Sequence, residues 1–379
     1  MLLVTMPGDR SFTFAELRHA DWNGWTLADM VFPAFLFSAG MALGLAFPRA
    51  TANSGARSRA WIKAGRRALA LVVLGLLLEA TYNLAISAGA QFPGKGGLEN
   101  LRLPGVLQRI GVCYGLAAAL LFGTAQADPG GGRRVNVVAV GLASGAILLG
   151  YWLILALTPV PGFGVGRLDA AGSLPAYVDR MVFTPAHMWP LATAVPGGPV
   201  TYDPEGLLST FPATVNVLLG VLAAEAWRRR PDRAVGMTAA AGLLLLATGL
   251  ALDRVFPINK RLWTSSFALF SGGVAALSLA GAAVLVRSSL AARVMTPLNI
   301  LGANAVLAFG LATVLSRLSG FAWLREAGTP VTLQTWGDHA MLHLIPEPYL
   351  ASFACAVGML ALITLAIWPL HRRGIHLRL

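Results

Sequence analysis

Charge is scarce in this chain. Asp, Glu, Lys and Arg make up 12% of its 379 residues, about half the share usual in a soluble domain. Cysteine is scarcer still. With two in all, neither a disulfide framework nor a thiolate-built metal site is expected. A P-loop and a Gly-x-Ser-x-Gly elbow are both missing, and the run Gly162-Phe163-Gly164-Val165-Gly166 follows no strand, so it is not a dinucleotide fingerprint. No internal repeat is visible, which weakens the case for a transporter built from inverted halves. Residues 1–7 are apolar but lack the basic start of a cleavable signal peptide.

Apolar sequence is abundant, at 56% of residues. Runs of roughly 20 residues recur along the whole length, each long enough for a bilayer core of about 30 Å. They predict nine full spans, near 27–47, 64–84, 104–124, 135–157, 206–227, 234–252, 262–286, 296–316 and 350–370. The expected fold is an all-α polytopic bundle, one transmembrane domain over 1–379. Met1 to Met6 reads as the last turns of a further N-terminal span, ended by Pro7-Gly8-Asp9.

The net charge of +12 is distributed as topology anchors, not as a nucleic-acid face. Arg49, Arg57, Arg59, Lys63, Arg66 and Arg67 crowd one junction; Arg228, Arg229, Arg230 and Arg233 another; Arg372, Arg373 and Arg378 the tail. Arg133-Arg134 and Arg287 with Arg293 mark two more, and Gly130-Gly131-Gly132 a flexible turn. By the positive-inside rule these face the cytoplasm. The His19 segment and the loops 85–103, 158–205, 253–261 and 317–349 then face the opposite side. The loop 253–261 fits least well, because it carries Arg254, Lys260 and Arg261. The seven prolines between 159 and 199 make 158–205 an ordered cover, not a helix.

Polar residues gather on that opposite side. His19, Asp21 and Asn23 precede the first full span, and Asp29 lies about one turn inside it. An intramembrane carboxylate is costly unless paired, so it marks a functional site by default. The His19 imidazole suits a general base or an acyl-accepting nucleophile; the plain alternative is a solvated loop histidine. Arg109 could pair with Glu99, and Asn304 could bond a neighbouring helix. Tyr202-Asp203-Pro204-Glu205-Gly206 could be no more than a helix start. His339 and His343 are four apart, yet no third ligand beyond Asp338 or Glu347 is evident, so no metal is expected. Cys113 and Cys355 fall inside spans.

Four blocks carry a family resemblance. His19-Ala-Asp-Trp-Asn-Gly-Trp-Thr-Leu-Ala-Asp29-Met-Val-Phe-Pro33 resembles the signature region of the heparan-alpha-glucosaminide N-acetyltransferase family. Arg102-Leu-Pro-Gly-Val-Leu-Gln-Arg109, Tyr202-Asp-Pro-Glu-Gly206 and Asn259-Lys-Arg-Leu-Trp263 are similar to further blocks of it, in the same order. Its members open with a complete first span carrying Arg-Gly, which is not seen here, and Thr5 stands where an Asn is common. The resemblance implies a multispan acetyltransferase using cytoplasmic acetyl-CoA as co-substrate, acting on an amino sugar or other saccharide across the membrane. It makes His19 the catalytic histidine, oriented by Asp29. It also implies substrate contacts from Asn23, Arg109, Asp203, Glu205, Asn259, Lys260, Trp263 (stacking on a sugar face) and Asn304. Arg66 and Arg67 are weak candidates for the CoA phosphates. The expected setting is a bacterial inner membrane, with the lipid bilayer and a saccharide as partners, no nucleic acid, and a homodimer permitted. The rival readings are a proton-coupled transporter with a His19/Asp29/Arg109 relay, and a non-catalytic remnant.

Overall fold

A computed structural model describes residues 2–5, 8–50, 54–128 and 132–375. Met6-Pro7, Gly130-Gly131 and Arg378 lie outside the described residues, and with them part of the expectations for the N-terminal remnant, the glycine turn and the basic tail. The helices are α1 Leu2–Thr5, α2 Leu27–Ala50, α3 Ser54–Ser87, α4 Val106–Thr124, α5 Val137–Leu157, α6 Leu174–Val182, α7 Thr210–Arg229, α8 Ala234–Leu252, α9 Ser265–Leu285, α10 Ser289–Val294, α11 Thr296–Ala303, α12 Ala305–Ser319, α13 Leu333–Leu344 and α14 Pro348–Arg372. Two short antiparallel hairpins, β1–β2 (Gln126–Ala127 with Arg133–Arg134) and β3–β4 (Leu324–Glu326 with Thr329–Val331), lie between helices. The fold is all-α and polytopic.

Among the described residues, eight helices are long and apolar enough to cross a membrane: α2, α3, α4, α5, α7, α8, α9 and α14. The ninth expected span, 296–316, is not one helix. It is α11 and α12, which meet at 89° across Asn304. Asn is a poor helix former whose side chain competes for backbone hydrogen bonds, and here it leaves helical geometry at φ −127°, ψ 41°. The basic residues 57–67 also differ from expectation. They lie on the N-terminal half of α3, a 34-residue helix, not in a loop.

Packing within the bundle relies on small residues. A Cβ on Gly40 of α2 would sit 1.9 Å from the Val217 carbonyl oxygen of α7, and one on Gly220 of α7 would sit 2.0 Å from that of Phe37. The two backbones therefore touch through glycine, the usual solution where lipid offers no hydrophobic drive between helices. Gly249 of α8 and Gly273 of α9 do the same for the α8/α9 pair. The main core runs through α2, α3, α4, α5, α7 and α9, with Leu36, Cys113, Leu121, Leu218, Trp263 and Phe267 fully buried. Ile300, Ala308, Ala312, Ile363 and Ile367 form a second cluster among α11, α12 and α14. Large apolar side chains such as Leu142, Leu149 and Leu157 of α5 and Leu243 and Leu244 of α8 point outward, as lipid-facing surfaces require.

The N-termini of α2, α4, α7 and α9 share one end of the bundle, where their preceding loops bond to one another. Gly24 N–H donates to Ile258 O at 2.8 Å, Leu103 N–H to His187 O at 3.0 Å, and the Trp22 indole to Leu168 O at 2.8 Å. At the other end, Arg57 donates to Phe122 O at 3.0 Å and Arg133 to Ala125 O at 2.7 Å. The cover 158–205 is not wholly non-helical. Ser173 as N-cap and Pro175 in the first turn start α6, which buries Leu174, Ala176 and Asp179.

Candidate active site

The first turn of α2 builds the centre. Asp29 is 1% exposed, a burial it tolerates because four hydrogens are aimed at it. Its Oδ1 accepts from His19 Nδ1 at 2.8 Å. Its Oδ2 accepts from Ala20 N–H, Thr26 N–H and the Thr26 hydroxyl, each at 3.1 Å. The carboxylate thus holds the loop 19–26 onto the helix start and fixes the imidazole with its proton on Nδ1, leaving the Nε2 lone pair available. His19 itself keeps 43% of its side chain exposed.

Lys260 joins this pair from the loop before α9. Its Nζ lies 3.1 Å and 3.3 Å from His19 Nδ1 and Nε2, and 3.4 Å from Asp29 Oδ1. Burial draws its ammonium below the usual lysine range, against the opposing pull of Asp29 and Glu205. Asn259 braces the turn: its Nδ2 donates to Asn23 Oδ1 at 3.1 Å, and its Oδ1 accepts from Leu262 N–H at 2.9 Å. Arg261 donates to the Tyr202 hydroxyl at 2.6 Å and to Ala20 O at 3.4 Å, joining the loop to the Tyr202 block.

Arg102 organises the neighbouring carboxylates. It contacts Asp203 through Nε and Nη2 at 2.9 and 2.6 Å, and Glu205 through Nη2 at 2.5 Å, while lying over the Trp189 ring. Burial opposes charge on Arg102, but Asp203 and Glu205 outweigh it and push its pKa up. Burial likewise opposes ionisation of Glu205, and Arg102, Arg109 and Lys260 reverse it, holding the carboxylate below its ordinary range. Glu205 is therefore the electrostatic link between the Arg102 cluster and Lys260.

Several expected roles change. Trp263 is fully buried, with Phe32 and Phe267 edge-on at 5.2 Å and its indole N–H donating to Asn216 Oδ1 at 3.0 Å. No face of it is left for a sugar. Asp203 is equally occupied: besides Arg102 it accepts from Trp189 N–H and Glu205 N–H, which makes it a brace for Glu205. Arg109 does not pair with Glu99. It donates to Gly206 O at 2.9 Å and to the Ser209 hydroxyl at 2.5 Å, with Trp263 beneath it. Asn304 marks the α11/α12 bend. On α3, Arg66 is exposed and Arg67 stacks over Tyr114. His339 is bonded to Glu326 at 2.6 Å.

The sequence had not pointed to Asp179. Its Oδ1 accepts from Leu207 N–H at 2.8 Å, and its Oδ2 finds no hydrogen-bond partner among the described residues. Burial pushes its pKa up to about 7. Ser173-Leu174-Pro175, a helix-start pattern, was the signal that could have placed it on an element. Arg261 was also missed as a site member, although it lies inside a quoted block.

No family model matches the chain. It is 30% identical to a Homo sapiens heparan-alpha-glucosaminide N-acetyltransferase over 302 residues, covering 70% of this chain and 44% of that protein. It is 28% identical to the Mus musculus protein of the same name over 301 residues, with the same coverage. The chain thus spans a little under half the length of the curated relatives it matches.

Proposed function

Because this chain belongs to the heparan-alpha-glucosaminide N-acetyltransferase family, we propose that it moves an acetyl group from cytoplasmic acetyl-CoA to an amino sugar or other saccharide on the opposite, periplasmic side of a bacterial inner membrane. One observation carries the reading: the His19–Asp29 pair, with a buried carboxylate on Nδ1 and 43% of the His19 side chain exposed. That is the geometry of a base, or of a nucleophile activated by an orienting carboxylate.

In this reading Nε2 either takes the proton of the acceptor amine as it attacks the thioester, or receives the acetyl group first. The first route gains its rate from holding both substrates together; the second predicts ping-pong kinetics. Glu205 and Lys260 set the charge around Nε2, and Asn23 with Asn259 holds the acceptor-side loop. The transporter alternative needs Arg109 in relay with His19 and Asp29, whereas its bonds run to Gly206 and Ser209.

Sealed inverted vesicles test the proposal. Acetyl-labelled acetyl-CoA is added outside, with glucosamine inside, for wild type and His19→Ala. Labelled N-acetylglucosamine in the lumen, for wild type alone, is the expected result. Equal transfer by both proteins would remove His19 as the catalyst, and saccharide flux without CoA release would favour transport.

A further inference from the structure

Asn216 is a polar residue that α7 does not need for packing. It lies about two turns into a membrane-spanning helix and is fully buried, where an apolar side chain would carry no polar cost. Every hydrogen-bonding direction around it is specified. Its Nδ2 donates to Ala268 O at 3.2 Å and to Ser271 Oγ at 3.3 Å, both on α9. Ser271 Oγ is free to accept, because its own hydrogen goes to Phe267 O at 2.6 Å. That leaves Asn216 Oδ1 for the Trp263 indole N–H at 3.0 Å, and an indole can only donate. The amide therefore has a single orientation, with its oxygen on the indole.

Trp263 passes this constraint to the site. It is held at φ +49°, a left-handed conformation costly for a bulky side chain and kept only where the surroundings impose it. From there its N–H donates to Lys260 O at 3.1 Å, and Thr264 N–H donates to Asn259 O at 3.1 Å, closing the turn that carries Lys260. Its ring meets Phe32, three residues on from Asp29, edge-on at 5.2 Å. Lys260 Nζ in turn lies 3.4 Å from Asp29 Oδ1. We propose that Asn216 is a positioning residue of the transfer site: through the Trp263 indole it holds the turn 259–264, and with it Lys260, against the His19–Asp29 pair. Its effect on activity rests on the acetyltransferase reading above. Without its oxygen the indole N–H is stranded, nothing holds Trp263 in the left-handed region, and the turn relaxes. The Tyr151 hydroxyl still donates to Leu262 O at 2.6 Å, so the loop shifts and does not detach.

The experiment compares wild type, Asn216→Leu, Trp263→Phe and the double variant, each as the full chain in nanodiscs. Each single change strands one partner and should lower the unfolding temperature. The double variant strands neither, so it should recover part of that loss. Two readouts then separate positioning from stability. The first is the rate at which a membrane-impermeant, amine-reactive ester labels Lys260, read by peptide mass against the exposed Lys63 and Lys95. Lys260, with 15% of its side chain exposed, should label slowly in wild type and faster in all three variants. The second is acetyl transfer from acetyl-CoA to glucosamine. Its kcat should fall by about 10–10²-fold, with the KM for acetyl-CoA within about twofold, in the double variant as in the single ones. A double variant that regains transfer along with stability, its Lys260 as slow as in wild type, would overturn the proposal. So would wild-type labelling and kcat in Asn216→Leu. If wild type transfers no acetyl group, the acetyltransferase reading falls, and Lys260 labelling still decides whether Asn216 holds the turn.

Discussion

Asp29→Asn is the sharpest perturbation, because an amide offers a single acceptor where four hydrogens now converge. If the amide oxygen takes the Oδ2 position, it keeps Ala20 N–H, Thr26 N–H and the Thr26 hydroxyl, and its NH2 faces His19 Nδ1. That nitrogen must then accept, the ring proton moves to Nε2, and the lone pair facing the site disappears. The opposite orientation preserves the tautomer but sets an NH2 group against two backbone N–H donors, which costs about 1–3 kcal/mol for each group left unsatisfied. The first orientation wins. Transfer should fall by about 10²–10⁴-fold, the usual contribution of a positioned base. Lys260 also loses an anion 3.4 Å away, a gross attraction of about 5 kcal/mol at an effective dielectric of about 20, offset by its renewed hydration. Three of the four bonds survive, so thermal unfolding should shift little. The assay is vesicle transfer alongside unfolding of the solubilised protein. Activity within about threefold of wild type in a folded Asp29→Asn protein would refute the assignment of Asp29 as the group that sets the tautomer.

Trp263→Ala should cost about 3–5 kcal/mol of stability through the cavity left between Phe32 and Phe267, read by thermal unfolding; a raised acceptor KM with unchanged stability would return it to a sugar-stacking role. Arg102→Met strands Asp203 and Glu205 without their cation, so stability should fall by about 3–5 kcal/mol, measured in the same way. Asp179 has a folded pKa of about 7 against an ordinary 3.8, so its proton favours the fold. That contribution is complete below about pH 4 and is lost as pH rises through about 7, a span worth about 4 kcal/mol; Asp179→Asn should flatten stability against pH over that window. A thiol-reactive, membrane-impermeant probe should distinguish Asp232→Cys from Ala322→Cys. If the bent α11/α12 pair does not cross the membrane, the β3–β4 region falls on the same side as residues 287–295, and the two cysteines label together.

The span count was legible because lipid makes one demand of a helix, about 20 apolar residues, and that demand is written locally. Eight of the nine runs reappear as continuous helices. The ninth fails at Asn304, where hydropathy averaged over 296–316 hides a residue whose backbone turns the chain by 89°. The helix α6 was hidden for a related reason: seven prolines read as breakers, yet Pro175 occupies the first turn, where a missing N–H costs nothing.

The site was legible to the extent that polar residues in apolar surroundings announce themselves, and illegible in how they pair. His19 and Asp29, ten residues apart, do meet. Arg102 and Arg109 look interchangeable in sequence, yet Arg102 binds the carboxylates and Arg109 binds a carbonyl and a hydroxyl from the segment before α7. Pairing of this kind depends on loops more than 90 residues apart, so no local pattern encodes it. The loop 253–261 shows the consequence for topology. Its cations contradicted the charge bias expected of that face, and two of them turn out to be claimed internally: Lys260 by Asp29 and His19, Arg261 by Tyr202 and Ala20. The positive-inside rule counts charges that interact with the membrane and its surface. Lysines and arginines held in a site should be subtracted before the sides are assigned, and once they are, only Arg254 of this loop remains against the pattern.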